Sequence, residues 1–160
     1  MYKILLLLLM SVLYMMLLAL QTDEELAMHT LFRGKHGLNT AVHAAAQQSD
    51  PGKLAAGIHS IDPNQAWSVA MQYLRGNLRL DTNNDPLPDT FLRSRVEVLL
   101  FQIINDDSNF PYTYVNADYG YTVTLNRPGV ILFISLEYPR TYSMLQPIRW
   151  VIKGTAEIVY

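Results

Sequence analysis

The residues with chemistry to offer are four histidines, an acidic loop and a run of tyrosines. His29, His36 and His43 recur every seven residues, which places them on nearly one line of a helix, about 10.5 Å apart along its axis. Histidines sharing zinc on one helix stand four apart, so one chain closes no metal site along this line. A polar stripe facing the domain or a partner helix is the simpler reading. His59 stands beside Ser60 and Asp62, but no HExxH or His-x-His pair supports a zinc peptidase. Asp62-Pro63 has the form of a helix start, which accounts for the acid. Asp81-Thr82-Asn83-Asn84-Asp85 offers oxygen ligands at positions one, three and five, like the opening of a calcium loop. Pro86 replaces the glycine of position six and Leu92 the glutamate of position twelve. A solvated turn and a weak calcium site both stay open there. Tyr112, Tyr114, Tyr119, Tyr121, Tyr138 and Tyr142 crowd the later chain. Tyrosine suits half-buried strands and interfaces alike; Tyr112, Tyr114 and Tyr121 are the candidate surface contacts. With no cysteine, phosphate-binding glycine loop or cofactor fingerprint, no catalytic residue, cofactor or metal is assigned.

These groups must be positioned by elements that begin with a long apolar segment. From Ile4 to Leu20 there is no charged side chain, and Asp23, Glu24 and Glu25 close the run. Seventeen residues make about 25 Å of helix, near the lower limit for a bilayer core of about 30 Å. Residues 1–22 are therefore expected to be a transmembrane anchor, with Ile4, Leu5, Leu9, Val12, Leu17 and Leu20 facing lipid, and 23–160 an extracytoplasmic domain. The flanks of Ala19-Leu20-Gln21-Thr22 lack the small-residue pair of a signal-peptide cut, so the segment is read as retained. Lys3 on the short N-terminal flank predicts a cytoplasmic N-terminus and a single pass through the cell membrane. The net charge of −2 offers no broad basic field for nucleic acid, and neither nucleic acid nor a small-molecule substrate is expected as a partner.

The helix is expected to continue to Gln48, since no proline interrupts Asp23–Gln48 and NTAVHAAAQQ favours helix. Leu26, Leu31, Leu38 and Val42 recur near a helical face and are the candidate subunit interface. Gly34 and Gly37 are expected to form a joint, and Asp50-Pro51-Gly52 to stop the helix. A second helix begins at Asp62-Pro63, with Ala66, Trp67, Ala70, Met71, Leu74 and Leu78 on one face. Residues 81–89 read as a loop. The period then changes: strands are predicted over Arg95–Ile104, Tyr119–Leu125, Val130–Tyr138 and Arg149–Tyr160. Residues 105–116 and 139–147 are predicted as loops, and Arg127-Pro128-Gly129 as a type II turn. Helices first and strands second give an α+β fold, with one antiparallel sheet of about four strands covered by helix.

An apolar helix whose outer half packs on an antiparallel sheet, with Gly37-Leu38-Asn39-Thr40-Ala41-Val42-His43-Ala44-Ala45-Ala46-Gln47-Gln48 as its alanine-rich continuation, resembles the TadE/TadG-like minor pilins of the Flp (tight-adherence) pilus system. The helix over Pro63–Leu78 and the strand around Pro128-Gly129-Val130 extend the likeness. The resemblance implies a membrane-anchored, pilin-like structural component of a bacterial pilus or related secretion apparatus, whose partners are the lipid bilayer and other pilin-like subunits or assembly machinery. It implies no catalytic residue. Only Met1, Tyr2 and Lys3 precede the apolar run, no glycine stands before it and no glutamate lies inside it. An uncleaved assembly component is therefore expected rather than a processed, polymerising pilin. The rival reading is an anchored or secreted binding module that uses its tyrosine-rich sheet surface.

Overall fold

The computed structural model describes residues 2–138, 140 and 146–159. Helix α1 spans Tyr2–Ala46, a short α2 spans Pro51–Ala55 and α3 spans Pro63–Leu78. The strands are β1 (Glu97–Ile104), β2 (Tyr112–Asn116), β3 (Tyr121–Leu125), β4 (Gly129–Tyr138) and β5 (Ile148–Glu157). The predicted loop at 139–147, with Tyr142, lies largely outside the described residues, as does Tyr160 at the end of the predicted last strand.

The α+β class and the order of helices then strands hold, but the single sheet of about four strands is corrected to five strands in two sheets. One has the order β1-β4-β5, all antiparallel, and the other is the hairpin β2-β3. Three layers result. Val130, Leu132, Ile134 and Leu136 of β4 face α1 and α3, whereas Ile131 and Phe133 face the hairpin with Ile104, Tyr114 and Leu125. Strand residues alternate faces, so a strand covered on both sides must be apolar throughout. That requirement explains the unbroken run GVILFI that opens β4 and the near-complete burial of the strand, in which Ser135 is a buried exception and Glu137 is half-buried. In β1 the register slips between Val98 and Leu100. This bulge lets neighbouring Leu99 and Leu100 both pack on the hairpin side.

Helix α3 starts as expected: the Asp62 carboxylate accepts from the Asn64 and Gln65 amides, with Pro63 in the first turn. Asp50 caps α2 in the same way through Gly52 and Lys53, so the Pro51-Gly52 stop of α1 is also the start of a further short helix. Of the predicted α3 face, Trp67 is corrected. It is 43% exposed and lays its ring edge-on to Phe101 at 5.0 Å.

No break forms at Gly34–Gly37; the α-helix runs through both. A side chain at Gly34 would place its Cβ 2.0 Å from Leu136 Cδ1 and 2.9 Å from Ile152 Cδ1, and one at Gly37 2.9 Å from Leu78 Cδ2. Both glycines let α1 lie close against the sheet and α3. Gly129 likewise serves close approach: its φ is not left-handed, so the type II turn is corrected, and a Cβ there would stand 2.8 Å from the Ala156 carbonyl oxygen.

Candidate functional site

Helix α1 has two regimes along one continuous element of 45 residues. Every residue from Tyr2 to Leu18 is exposed, including the predicted lipid-facing Ile4, Leu5, Leu9, Val12 and Leu17; Leu20 is half-buried. This stretch is long and apolar enough to cross a membrane, and none of it is covered by the rest of the chain. From Asp23 onward one face is covered by the domain: Asp23, Ala27, Thr30, Gly34, Gly37 and Ala41 are buried. The change coincides with a tether, since the Tyr138 hydroxyl, at the end of β4, donates to Asp23 Oδ1 at 3.2 Å.

The candidate subunit-interface residues separate. Leu38 and Val42 are fully buried in the domain's own core, and Leu31 packs against it; Leu26 is 48% exposed. What the sequence reading passed over is the opposite face. With 100° between successive residues, Glu25, Met28, Phe32, Lys35 and His36 point away from the buried side. Met28 and Phe32 are 46% and 61% exposed. The inward face is built largely of alanine, glycine and threonine, with Leu38 and Val42 as its large apolar members.

The tyrosines are mostly structural. Tyr114 is buried in the hairpin core, with Tyr112 and Tyr121 packed against it half-buried. The Tyr121 hydroxyl pairs with Thr155 Oγ1 at 2.7 Å, its ring stands edge-on to Phe133 at 5.0 Å, and Lys153 donates to the Tyr119 carbonyl. Val115 and Thr113 carry the exposed side of β2 instead.

His29, His36 and His43 are all exposed on α1, and among the described residues no cluster of three metal-ligating side chains forms. Asp62 spends its carboxylate on the α3 cap. In the acidic loop, Asp81 Oδ1 accepts from the Asn83 and Asp85 amides, both at 2.8 Å. Arg95 binds both Asp85 oxygens, at 2.9 and 2.7 Å, and holds that carboxyl below the usual range. Arg75 Nε donates to Asn84 Oδ1 at 2.8 Å, so the loop is closed by its own backbone and two arginines.

Two adjoining clefts flank α1 just beyond its bare segment. One, about 420 Å³, lies among Leu26, His29 and Arg33 of α1, Phe91 and Arg93 ahead of β1, and Tyr138. The other, about 470 Å³, shares His29, Arg33 and Phe91 and reaches Arg79 and Asp89. The Arg33 guanidinium lies 5.2 Å from the centre of the Phe91 ring, a cation–π contact that orients it. Arg79 closes α3 in a left-handed conformation, φ 54°, with the Leu80 amide returning to the Arg75 carbonyl at 2.9 Å. Sequence spacing gave no signal for these clefts, whose walls come from segments some sixty residues apart.

No protein-family model, curated protein or solved structure matches this chain.

Proposed function

We propose that this chain is a membrane-anchored structural subunit that displays its α+β domain outside a bacterial cell and works by assembly rather than catalysis, as a TadE/TadG-like component of a pilus or related secretion apparatus does. The N-terminus lies in the cytoplasm in this reading, and the partners are the bilayer and other single-anchor subunits. The observation that carries it is the division of α1 into a bare apolar segment and a domain-packed segment whose opposite face keeps Met28 and Phe32 uncovered. Exposed large apolar side chains that continue a lipid-facing helix mark a contact surface. An isolated membrane anchor would not need them.

The chain has no cysteine, so single-cysteine variants report contacts without background. In native-host membranes, Met28→Cys and Phe32→Cys are expected to crosslink to other subunits through a short bismaleimide, whereas Thr124→Cys, exposed on the far hairpin, does not. Absence of any crosslinked species from both α1 positions, with the variants present in the membrane, would refute the assembly reading.

A further inference from the structure

We propose that two copies of this chain hold one zinc ion between their α1 helices, each supplying Glu25 and His29. The inference rests on the assembly reading above and names a second copy as a partner. Glu25, His29, Phe32, His36, Asn39 and His43 stand alternately four and three residues apart, and all are exposed. At 100° per residue they lie opposite the buried line of Ala27, Gly34 and Ala41, so the domain leaves this stripe open. A mean spacing of 3.5 residues is that of the seam in a helix pair. The three histidines, seven apart, all take the same seam position.

A common anchor fixes how two such helices meet. Copies that enter the bilayer by the same end run parallel, and about a two-fold axis along the membrane normal each seam residue faces its counterpart. Glu25 then meets Glu25 of the second copy, and two carboxylates so placed repel. A divalent cation removes the conflict, and further ligands stand one turn away. His29 Nε2 is 3.8 Å from Glu25 Oε1, the imidazole and the carboxylate being 67% and 74% exposed. Two ligand atoms of a tetrahedral zinc, with bonds of about 2.0–2.1 Å, are about 3.3 Å apart, so a shift of about half an ångström closes each half-site. Four residues is also the interval at which two side chains of one helix share zinc. His36 and His43 have Phe32 and Asn39 at that interval instead of an acid. Arg33, one turn past His29, is drawn aside to the Phe91 ring. Among the described residues of one chain no third ligand joins the pair, so the site is incomplete without the second copy. Two carboxylates and two imidazoles then make up four-coordination, and the carboxylates balance the charge of the ion. Glu25 and His29 lie about 8 and 14 Å past Leu20 along the axis, where the metal arrives from water.

The test uses the full chain without an affinity tag, in neutral detergent micelles titrated with zinc chloride and followed by native mass spectrometry. Pairs of chains carrying one zinc are expected, their fraction rising with zinc and falling with EDTA. Glu25→Gln and His29→Ala are each expected to weaken zinc binding at least tenfold, whereas His43→Ala, on the same stripe, leaves it unchanged. Circular dichroism of each variant checks that the helices persist. Zinc carried by single chains, or binding lost equally in His43→Ala, overturns the shared site. A parent chain that takes up no zinc overturns it whether or not it pairs. The assembly reading is judged separately, by the Met28→Cys and Phe32→Cys crosslinks.

Discussion

The Tyr138 hydroxyl reaches across 115 positions of sequence to donate to Asp23 Oδ1 at 3.2 Å, joining the end of β4 to the first α1 residue that the domain buries. Asp23 is 1% exposed. A carboxyl so excluded from water must be hydrogen-bonded to be tolerated, and this bond stands where the bare segment of α1 gives way to the segment that the domain covers. Tyr138→Phe is expected to cost about 1 kcal/mol, and Asp23→Asn, which keeps an acceptor, less than Asp23→Ala. Urea unfolding of the full chain in micelles, read as a double-mutant cycle, measures the pair.

The glycines of α1 and α3 predict opposite signs for the same substitution. In an open helix, glycine to alanine gains up to about 1 kcal/mol, and Gly76, with nothing within 4 Å of a built Cβ, is expected to show part of that gain. Gly34→Ala drives a methyl into Leu136 and against Ile152, so that buried side chains must shift to admit it. A net loss of about 1–3 kcal/mol is expected. Thermal midpoints of the two variants, compared with the parent, decide it.

Two exposed ion pairs give the domain an acid edge. Lys53 holds the Asp106 carboxyl below its usual value of 3.8, and Arg95 does so for Asp85. A carboxyl whose folded value is depressed contributes stability that is complete above the unfolded value and is lost as pH falls through the folded one. Stability should therefore decline below about pH 4, and Asp85→Asn with Asp106→Asn should flatten that decline. At the alkaline end, the Asp106 carboxylate raises Lys53 above 10.5, so its contribution is complete below 10.5 and fades as pH climbs past it. Chemical denaturation across pH in parent and variant supplies both slopes.

The hairpin layer gathers two of its aromatic rings on one side chain. Phe133, fully buried, takes the ring edges of Tyr119 and Tyr121 at 5.5 and 5.0 Å. Phe133→Ala is expected to cost about 3–5 kcal/mol and to free β2-β3 before the three-stranded sheet. Faster amide exchange confined to residues 112–125 would report it.

How much of this was legible depended on whether the signal was local. Asp62-Pro63 announces α3, and the β-branched run after Pro128 announces β4, because capping chemistry and strand composition lie in neighbouring residues. Strand β2 was not legible: five residues between turn signals are too short to show alternation against Asn105–Pro111 before them. The second sheet followed from that omission. The inward face of α1 was only partly legible for a different reason. Close packing against the sheet calls for small residues, so Ala27, Gly34 and Ala41 mark that side beside Leu38 and Val42, and a search for large apolar residues passes over them. The Arg33–Phe91 contact and the clefts beside it depend on tertiary placement, which no spacing in the chain encodes.

Because α1 passes from its bare segment into the domain without a turn, lipid and sheet share one helical phase. Each residue carries about 100° of rotation and 1.5 Å of rise. A single residue inserted at Gln21-Thr22 would swing Phe32 more than a quarter of the way round the membrane normal, and a seven-residue insertion would nearly restore its bearing about 10 Å higher. In the membrane-anchored reading proposed above, the bare segment acts as an axle keyed to its load: the heading of the helix in the bilayer sets the compass direction in which the domain looks.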